Sequence, residues 1–189
     1  AGTGQATDLF IKVINDLDIV EVGDKQVDYL MGKYKRENVN TYKAYFEDFK
    51  SNKKYDLIFS ATAFHWVDAT VGYPKVWDML NDSGVLAVFW HMSSVTLHDT
   101  GIFVGLNEIK KKYLPEESLG FDKEGIEGVR QKRISQIQSG NYFGIPVIKE
   151  YRWIDTYDAD RYSLLLESYS STQTLDEEHK KLYLSEVRD

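Results

Sequence analysis

The sequence contains no cysteine among its 189 residues. Disulfide bonds, thiolate metal sites and cysteine nucleophiles are therefore excluded. No apolar run approaches the roughly 20 residues that a membrane-spanning helix needs. Positive charge is also in deficit, because 23 lysines and arginines face 30 aspartates and glutamates, for a net charge of -7. That balance argues against strong binding to a nucleic-acid backbone, although it does not forbid a local basic patch.

What remains is an ordinary globular composition, with 42% hydrophobic and 28% charged residues. Over residues 1–93, short apolar runs alternate with patterns typical of helices. Such alternation predicts βαβ units and a mainly parallel sheet with helices on both faces. The predicted strands are Ile19–Val22, Lys43–Phe46, Tyr55–Ser60 and Val85–Trp90, the predicted helices are Asp24–Tyr34 and Pro74–Leu80, and Asn81–Gly84 is a predicted turn.

The pattern changes after residue 93, so residues 94–189 are predicted to form a C-terminal α+β cap region within one structural domain. Ile102–Tyr113 predicts an amphipathic helix, and Ile145–Trp153 a late strand of the sheet. Asp158 is placed to cap a further helix, and the capping box of residues 174–177 predicts another that runs to the C-terminus.

A glycine turn opens the sequence, as Ala1-Gly-Thr-Gly-Gln5. Glycines before a helix let the backbone approach a ligand closely and direct helix N–H groups at it. Nineteen residues after Gly2, Glu21 closes the first predicted strand, where a carboxylate can accept the two hydroxyls of a ribose. The two features at this spacing predict a nucleoside site.

Two kinds of nucleoside site remain open at this point. A dinucleotide fingerprint requires a glycine or alanine three residues after the second glycine, and Thr7 occupies that position. The other arrangement is an acidic residue followed by Gly-x-Gly-x-Gly. Gly2 and Gly4 can be its last two glycines, with its opening part before Ala1.

A second motif favours the second arrangement without excluding the first. Tyr55-Asp-Leu-Ile-Phe-Ser-Ala-Thr-Ala-Phe-His-Trp-Val-Asp68 precedes a helix and a glycine turn, and Tyr45-Phe-Glu-Asp-Phe49 precedes it as an acidic loop. Here the sequence resembles the class I S-adenosylmethionine-dependent methyltransferases, in particular the small-molecule, trans-aconitate methyltransferase-like branch. The resemblance covers residues 1–90 and continues more loosely beyond them. It implies a Rossmann-like fold and S-adenosylmethionine as the cofactor.

The resemblance also implies roles for single residues. His65 and Trp66 would lie near the transferable methyl group, with His65 as the candidate catalytic base or, alternatively, a packing corner of the pocket. Tyr169 and Ser170 would contribute to the acceptor site together with Trp66, and no metal is expected. The cofactor would be bound by Ala1, Gly2, Thr3, Gly4, Glu21, Val22, Phe46, Glu47, Ser60 and Ala61.

The sequence therefore predicts a cytoplasmic enzyme that transfers a methyl group to an oxygen or nitrogen of a small molecule. It predicts neither nucleic acid nor membrane as a partner, and it leaves the oligomeric state open. Two alternatives stand beside this prediction. One is a nicotinamide-dependent oxidoreductase, and the other is a non-catalytic protein that keeps the fold and the cofactor site.

Overall fold

The computed structural model describes residues 1–91, 101–114 and 120–188, which form two compact units. The first unit comprises residues 1–91 and 136–145, and the second comprises residues 92–135 and 146–189. Residues 136–145 thus belong to the first unit, whereas the sequence analysis places them in the C-terminal cap region.

The first unit contains four strands, and each pair of strands is joined through a helix. β1 pairs with β2 and β3 pairs with β4, and both pairs are parallel. The α/β class and the parallel strands are thus confirmed, while the described strands form two sheets of two strands each. The elements are α1 (Thr7–Phe10), β1 (Leu17–Glu21), α2 (Asp24–Lys33), β2 (Val39–Lys43), β3 (Tyr55–Ala61), a 3₁₀ turn (Phe64–Trp66), α3 (Ala69–Met79) and β4 (Leu80–Phe89).

Helix α2 follows the predicted range closely, because its apolar spacing and its charges agree. Val27 and Leu30 are buried on one face. Asp24 lies in the first turn and Lys33 in the last turn, so both charges oppose the helix dipole. Leu30 packs with Leu17 and Ile19 of β1, so that α2 covers the first sheet.

The predicted boundaries of the second strand and of the helix after the 3₁₀ turn are wrong. β2 ends at Lys43, so the predicted strand Lys43–Phe46 is instead the start of the following loop. Helix α3 begins at Ala69 rather than near Pro74, because the Asp68 side chain caps it by accepting the backbone N–H of Thr70 at 2.8 Å. Pro74 consequently lies inside the helix.

Strand β4 is longer than predicted and begins at Leu80. Its register with β3 jumps from the pair Tyr55–Leu80 to the pair Leu57–Val85. Residues 81–84, which the sequence predicts as a turn, lie in β4 at this shift of register. The core beside it contains Phe64, Tyr73, Val76 and Leu80.

The described elements of the second unit are helices, and residues 146–158 lie outside them. A hydrophobic cluster of Leu114, Leu166, Tyr183 and Leu184 packs these helices together. No described helix is both long and apolar enough to cross a membrane. The helices are α4 (Gly101–Tyr113), α5 (Gly120–Gln138, interrupted at Gly125 and extending into the first unit), α6 (Ala159–Glu167), α7 (Ser170–Gln173) and α8 (Glu177–Arg188).

The predicted strand Ile145–Trp153 is wrong. The described residues 145–157 form no strand ladder. Ile145 and Val147 are 89% and 87% exposed, so these two apolar positions of the alternation are not buried. Strand propensity depends on a partner strand and a face to bury, and neither is provided here.

Candidate active site

The glycine turn adopts the conformation that its sequence predicts. Gly2 and Gly4 have φ angles of 59° and 80°, a region that side chains with a Cβ rarely adopt. A Cβ on Gly4 would lie 2.4 Å from the Tyr34 hydroxyl, whereas no atom lies within 4 Å of a Cβ built on Gly2. The turn is therefore closely packed at Gly4 and open at Gly2.

Glu21 lies beside this turn. Its Oε2 accepts hydrogen bonds from the backbone N–H of Gly2, at 2.7 Å, and from the amine of Ala1. Its Oε1 accepts the backbone N–H groups of Val22 and Gly23, both at 2.9 Å. All four acceptor positions of the carboxylate are thus used.

These donors determine the ionisation of Glu21. Partial burial alone would raise the pKa of the carboxyl group, but the hydrogen bonds from the Ala1 amine, Gly23 and Gly2 outweigh it. The pKa of Glu21 is therefore lower than that of a free glutamate. A carboxylate held ionised at the end of a parallel strand is a strong acceptor for hydroxyl donors.

The acidic loop of residues 45–49 is connected to the same strand end. The backbone N–H of Ala44 donates to the Glu21 carbonyl oxygen at 3.0 Å. Within this loop, Phe46 is half-buried, and its ring lies 6.1 Å from that of Phe64. The Oε1 atom of Glu47 accepts the Asp68 N–H at 3.1 Å. Val22, on the other side of Glu21, is 47% exposed.

At the end of β3, Ser60 and Ala61 are half-buried and pair with β4. The next residue, Thr62, has a φ of 47°, which is strained for a β-branched side chain. Its N–H donates to the Phe89 carbonyl at 2.9 Å, and its hydroxyl accepts the His91 N–H at 3.3 Å. Backbone strain of this kind is concentrated at functional sites, yet no sequence signal points to Thr62.

His65 and Trp66 lie in the 3₁₀ turn that follows, and both are exposed. The Trp90 indole donates its Nε1–H to Nδ1 of His65 at 3.2 Å. Because an indole nitrogen can only donate, Nδ1 of His65 must be an acceptor, and a neutral His65 carries its proton on Nε2.

Three residues that the sequence analysis does not assign to the site support its loops. Lys33 Nζ donates to the Thr3 carbonyl at 3.1 Å, and the Tyr34 hydroxyl donates to the Gly4 carbonyl at 2.9 Å. Lys75 Nζ donates to the carbonyls of Glu47, at 2.8 Å, and Phe49. In the sequence analysis, Tyr34 enters only as the last residue of the predicted helix Asp24–Tyr34.

The predicted acceptor residues Tyr169 and Ser170 belong to the second unit. Tyr169 precedes α7, where it is 37% exposed, and Ser170 is the first residue of that helix. Their role in acceptor binding stays a prediction.

In the part of the chain that the structure describes, no three histidine, aspartate or glutamate side chains converge as they would on a metal ion. The residues that converge fit a nucleoside-type cofactor. They provide open space at Gly2, an ionised carboxylate at Glu21 and the exposed apolar surface of Val22.

No family model and no curated protein sequence matches the chain. Among solved structures it is similar to a protein of Anaeromyxobacter dehalogenans that has been provisionally assigned as a type II methyltransferase. The TM-score is 0.53 at 16% sequence identity, over 98% of this chain and 74% of the other. At this identity the similarity shows the fold alone. The chain thus has a methyltransferase-like α/β fold.

Proposed function

We propose that this chain is a cytoplasmic S-adenosylmethionine-dependent methyltransferase that acts on an oxygen or nitrogen of a small molecule. The observation that carries the proposal is the hydrogen bond from the Gly2 N–H to the Glu21 carboxylate, 2.7 Å long across nineteen residues. It joins the glycine turn to the acidic strand end, the two halves of a nucleoside site in α/β folds. The similarity of fold supports the same function.

The proposal includes the finer architecture of the small-molecule, trans-aconitate methyltransferase-like branch, with β1–β2 and β3–β4 as parts of one Rossmann-like sheet. Contacts between the two strand pairs support this arrangement. The Tyr55 hydroxyl on β3 donates to Asp18 on β1 at 2.7 Å. Phe10 of α1 stacks on Phe59 of β3, with ring centroids 4.1 Å apart.

In this proposal the glycine turn and the strand ends hold the cofactor, which supplies a methyl group activated by a sulfonium centre. The four acceptor positions of the Glu21 carboxylate are already used. The ribose hydroxyls would therefore replace some of the hydrogen-bond donors that Glu21 has in this structure. Val22 packs against the adenine. The remaining binding residues are Ala1, Gly2, Thr3, Gly4, Phe46, Glu47, Ser60 and Ala61.

His65 and Trp66 complete the site on the acceptor side. With the Trp90 N–H on Nδ1, a neutral His65 presents Nε2–H as a donor, so it can orient an acceptor through that proton. It acts as a base at Nδ1 only after the Trp90 hydrogen bond is broken. Alignment of acceptor and methyl group is therefore the main contribution of these residues to the rate.

The acceptor itself is proposed to be a small molecule, and Trp66, Tyr169 and Ser170 are each proposed to take part in binding it. The net charge of -7 supports this class over nucleic acid, since a phosphate backbone would be repelled over most of the surface.

Calorimetric titration of S-adenosylmethionine and S-adenosylhomocysteine tests the proposal. Glu21→Gln keeps the shape of the side chain but directs an amide N–H₂ at backbone donors, and we expect at least about tenfold weaker binding, roughly 1.4 kcal/mol. Glu37→Gln, at an exposed position between α2 and β2, is the control and should bind as the wild type does. Absence of binding to both ligands would overturn the proposal.

A titration with reduced nicotinamide dinucleotide tests the oxidoreductase alternative. Energy transfer from the tryptophans to the bound nicotinamide, measured by fluorescence, would report its binding. Cofactor binding without methyl transfer to a broad panel of small oxygen and nitrogen acceptors would favour the non-catalytic alternative.

A further inference from the structure

A cleft of about 420 Å³ opens on the first unit, on the side of the glycine turn that faces the end of α2. Its volume falls within the usual range of small-ligand pockets, roughly 300–1,000 Å³. None of its lining residues belongs to the predicted cofactor set. The lining residues are Asp8, Ile11, Lys12, Lys33, Tyr34 and Arg36.

The charge of this cleft is opposite to that of the whole chain. Lys12, Lys33 and Arg36 contribute three positive charges, and Asp8 contributes one negative charge. A cleft with a net charge of two positives is unusual in a chain whose overall charge is -7. A concave basic surface concentrates anions from solution, because its field is focused by the low-dielectric walls.

The single carboxylate of the cleft is already engaged. Asp8 Oδ2 lies 2.6 Å from Lys33 Nζ, and Asp8 Oδ1 accepts from the Tyr34 hydroxyl at 2.7 Å. These hydrogen bonds, that of Lys33 first, hold the pKa of Asp8 below its usual value. Asp8 and Lys33 neutralise each other, which leaves the charges of Lys12 and Arg36 to act on a ligand.

Lys12 and Arg36 are both exposed at the cleft. Neither side chain forms a salt bridge with a carboxylate within residues 1–91, 101–114 and 120–188, where the ion pairs of the chain are described. An arginine fork pairs with two oxygens of a phosphate, and a lysine adds a point charge to the same group. The apolar side chain of Ile11 provides a surface for an organic part.

We propose that this cleft binds a small organic phosphate, with Lys12 and Arg36 as the residues that contact the phosphate group. The site is separate from the proposed cofactor site and does not depend on that function. It lies next to the glycine turn, since Lys33 donates to the Thr3 carbonyl at 3.1 Å as well as to Asp8. An anion that attracts Lys33 therefore changes the environment of Thr3.

Pyrophosphate is the probe for this proposal, titrated at low ionic strength and followed by calorimetry and by backbone amide NMR shifts. We expect saturable binding, with the shifted amides confined to α1, the end of α2 and residues 3–4. The double variant Lys12→Gln/Arg36→Gln should bind at least about tenfold more weakly. Lys25→Gln, an exposed lysine in the first turn of α2, is the matched control and should bind as the wild type does.

Three results would overturn the proposal. They are the absence of saturation at millimolar pyrophosphate, equal losses in the control and the double variant, and citrate binding as tightly as pyrophosphate, which would show a site for anions in general. Thermal unfolding of each variant establishes that the fold is retained. The amide shifts of the wild type locate the site without any substitution.

Discussion

The Tyr34 hydroxyl lies 2.9 Å from the Gly4 carbonyl oxygen, thirty residues earlier in the chain, and occupies the space that a side chain at position 4 would need. Its proton is shared with Asp8, whose Oδ1 lies 2.7 Å away. Tyr34, the residue that follows α2, thereby holds the glycine turn in place.

Gly4→Ala should therefore destabilise the chain. The new Cβ would lie 2.4 Å from the Tyr34 hydroxyl, at a residue with a φ of 80°. Strain at such a position costs about 1–3 kcal/mol. Chemical denaturation measures the loss, and an unchanged free energy of unfolding would contradict the close packing of the turn.

The matched control is Gly32→Ala, in the last turns of α2, where no atom lies within 4 Å of the added Cβ. This glycine is helical and exposed. Alanine there should stabilise the chain by about 0.5–1 kcal/mol, because glycine is the poorer helix former. Opposite signs for the two substitutions would separate the effect of the turn from that of helix propensity.

Asp18 should contribute to the free energy of unfolding at neutral pH but not at acid pH. Burial alone would raise the pKa of this carboxyl group, but hydrogen bonds from Tyr55, Asn40 and Lys53 hold it below its usual value. A lowered pKa in the folded state means that the stabilisation is present above pH 4 or so and is lost as the pH falls through the folded pKa.

Asp18→Asn should thus lower the free energy of unfolding by about 1–3 kcal/mol at neutral pH and flatten its acid dependence. Asp16→Asn is the control, because Asp16 also pairs with Lys53 but is far more exposed, at 59% of its side chain against 3% for Asp18. Denaturation curves between about pH 3 and 7 test the difference. Equal effects of the two substitutions would refute a special role for the buried carboxylate.

The same cluster predicts a change in the alkaline range. Burial, the larger cause, and the hydrogen bond to Asp18 raise the pKa of Tyr55 to about 12. A raised pKa means that the stabilisation is complete below the unfolded value of about 10 and is lost as the pH rises towards 12. Tyr55→Phe should remove this alkaline loss, whereas Tyr45→Phe, at a tyrosine that is 64% exposed, should not. The ultraviolet absorbance of tyrosinate follows the titration.

The sequence is informative where local patterns and packing agree. The spacing of Val27 and Leu30 predicts α2. The glycines and the carboxylate of Glu21, nineteen residues apart, predict a nucleoside site, and the structure places Glu21 in contact with the glycine turn. Residues 145–153 have an equally clear strand pattern, but a strand requires a partner, and sequence alternation does not provide one.

Other parts of the site have no sequence signal because they depend on the tertiary fold. Thr62 is a β-branched residue, the type least expected at a φ of 47°, and hydrogen bonds from and to distant residues hold it there. Lys75 is one of several lysines, and only the fold brings its ammonium group to the carbonyls of the acidic loop.

Lys75 should therefore act as a positioning residue for the loop that carries Phe46 and Glu47. Its burial lowers its pKa, and its Nζ donates to the carbonyls of Glu47 and Phe49. Lys75→Met keeps the length of the side chain but removes the donors, so we expect weaker binding of S-adenosylhomocysteine, by about tenfold. Lys50→Met, at an exposed lysine of the same loop region, should leave the affinity unchanged and is the control.

The protonation of two histidines provides the sharpest test of the acceptor side of the site. Nδ1 of His65 accepts from the Trp90 indole at 3.2 Å, so the neutral ring should carry its proton on Nε2. His179 is the internal control, because its Nδ1 lies 2.7 Å from Asp176 Oδ2 and must carry a proton. Long-range proton–nitrogen NMR correlations distinguish the two tautomers directly.

Trp90→Phe removes the donor and should give His65 a mixture of tautomers, while the signals of His179 stay as they are. Methyl transfer should also be affected by Trp90→Phe if His65 orients the acceptor through Nε2–H. Loss of the tautomer preference would then raise KM for the acceptor more than it lowers kcat, because orientation in the bound complex is weakened before chemistry. A wild-type His65 with its proton on Nδ1 would contradict the hydrogen bond and return the residue to the role of a base at Nε2.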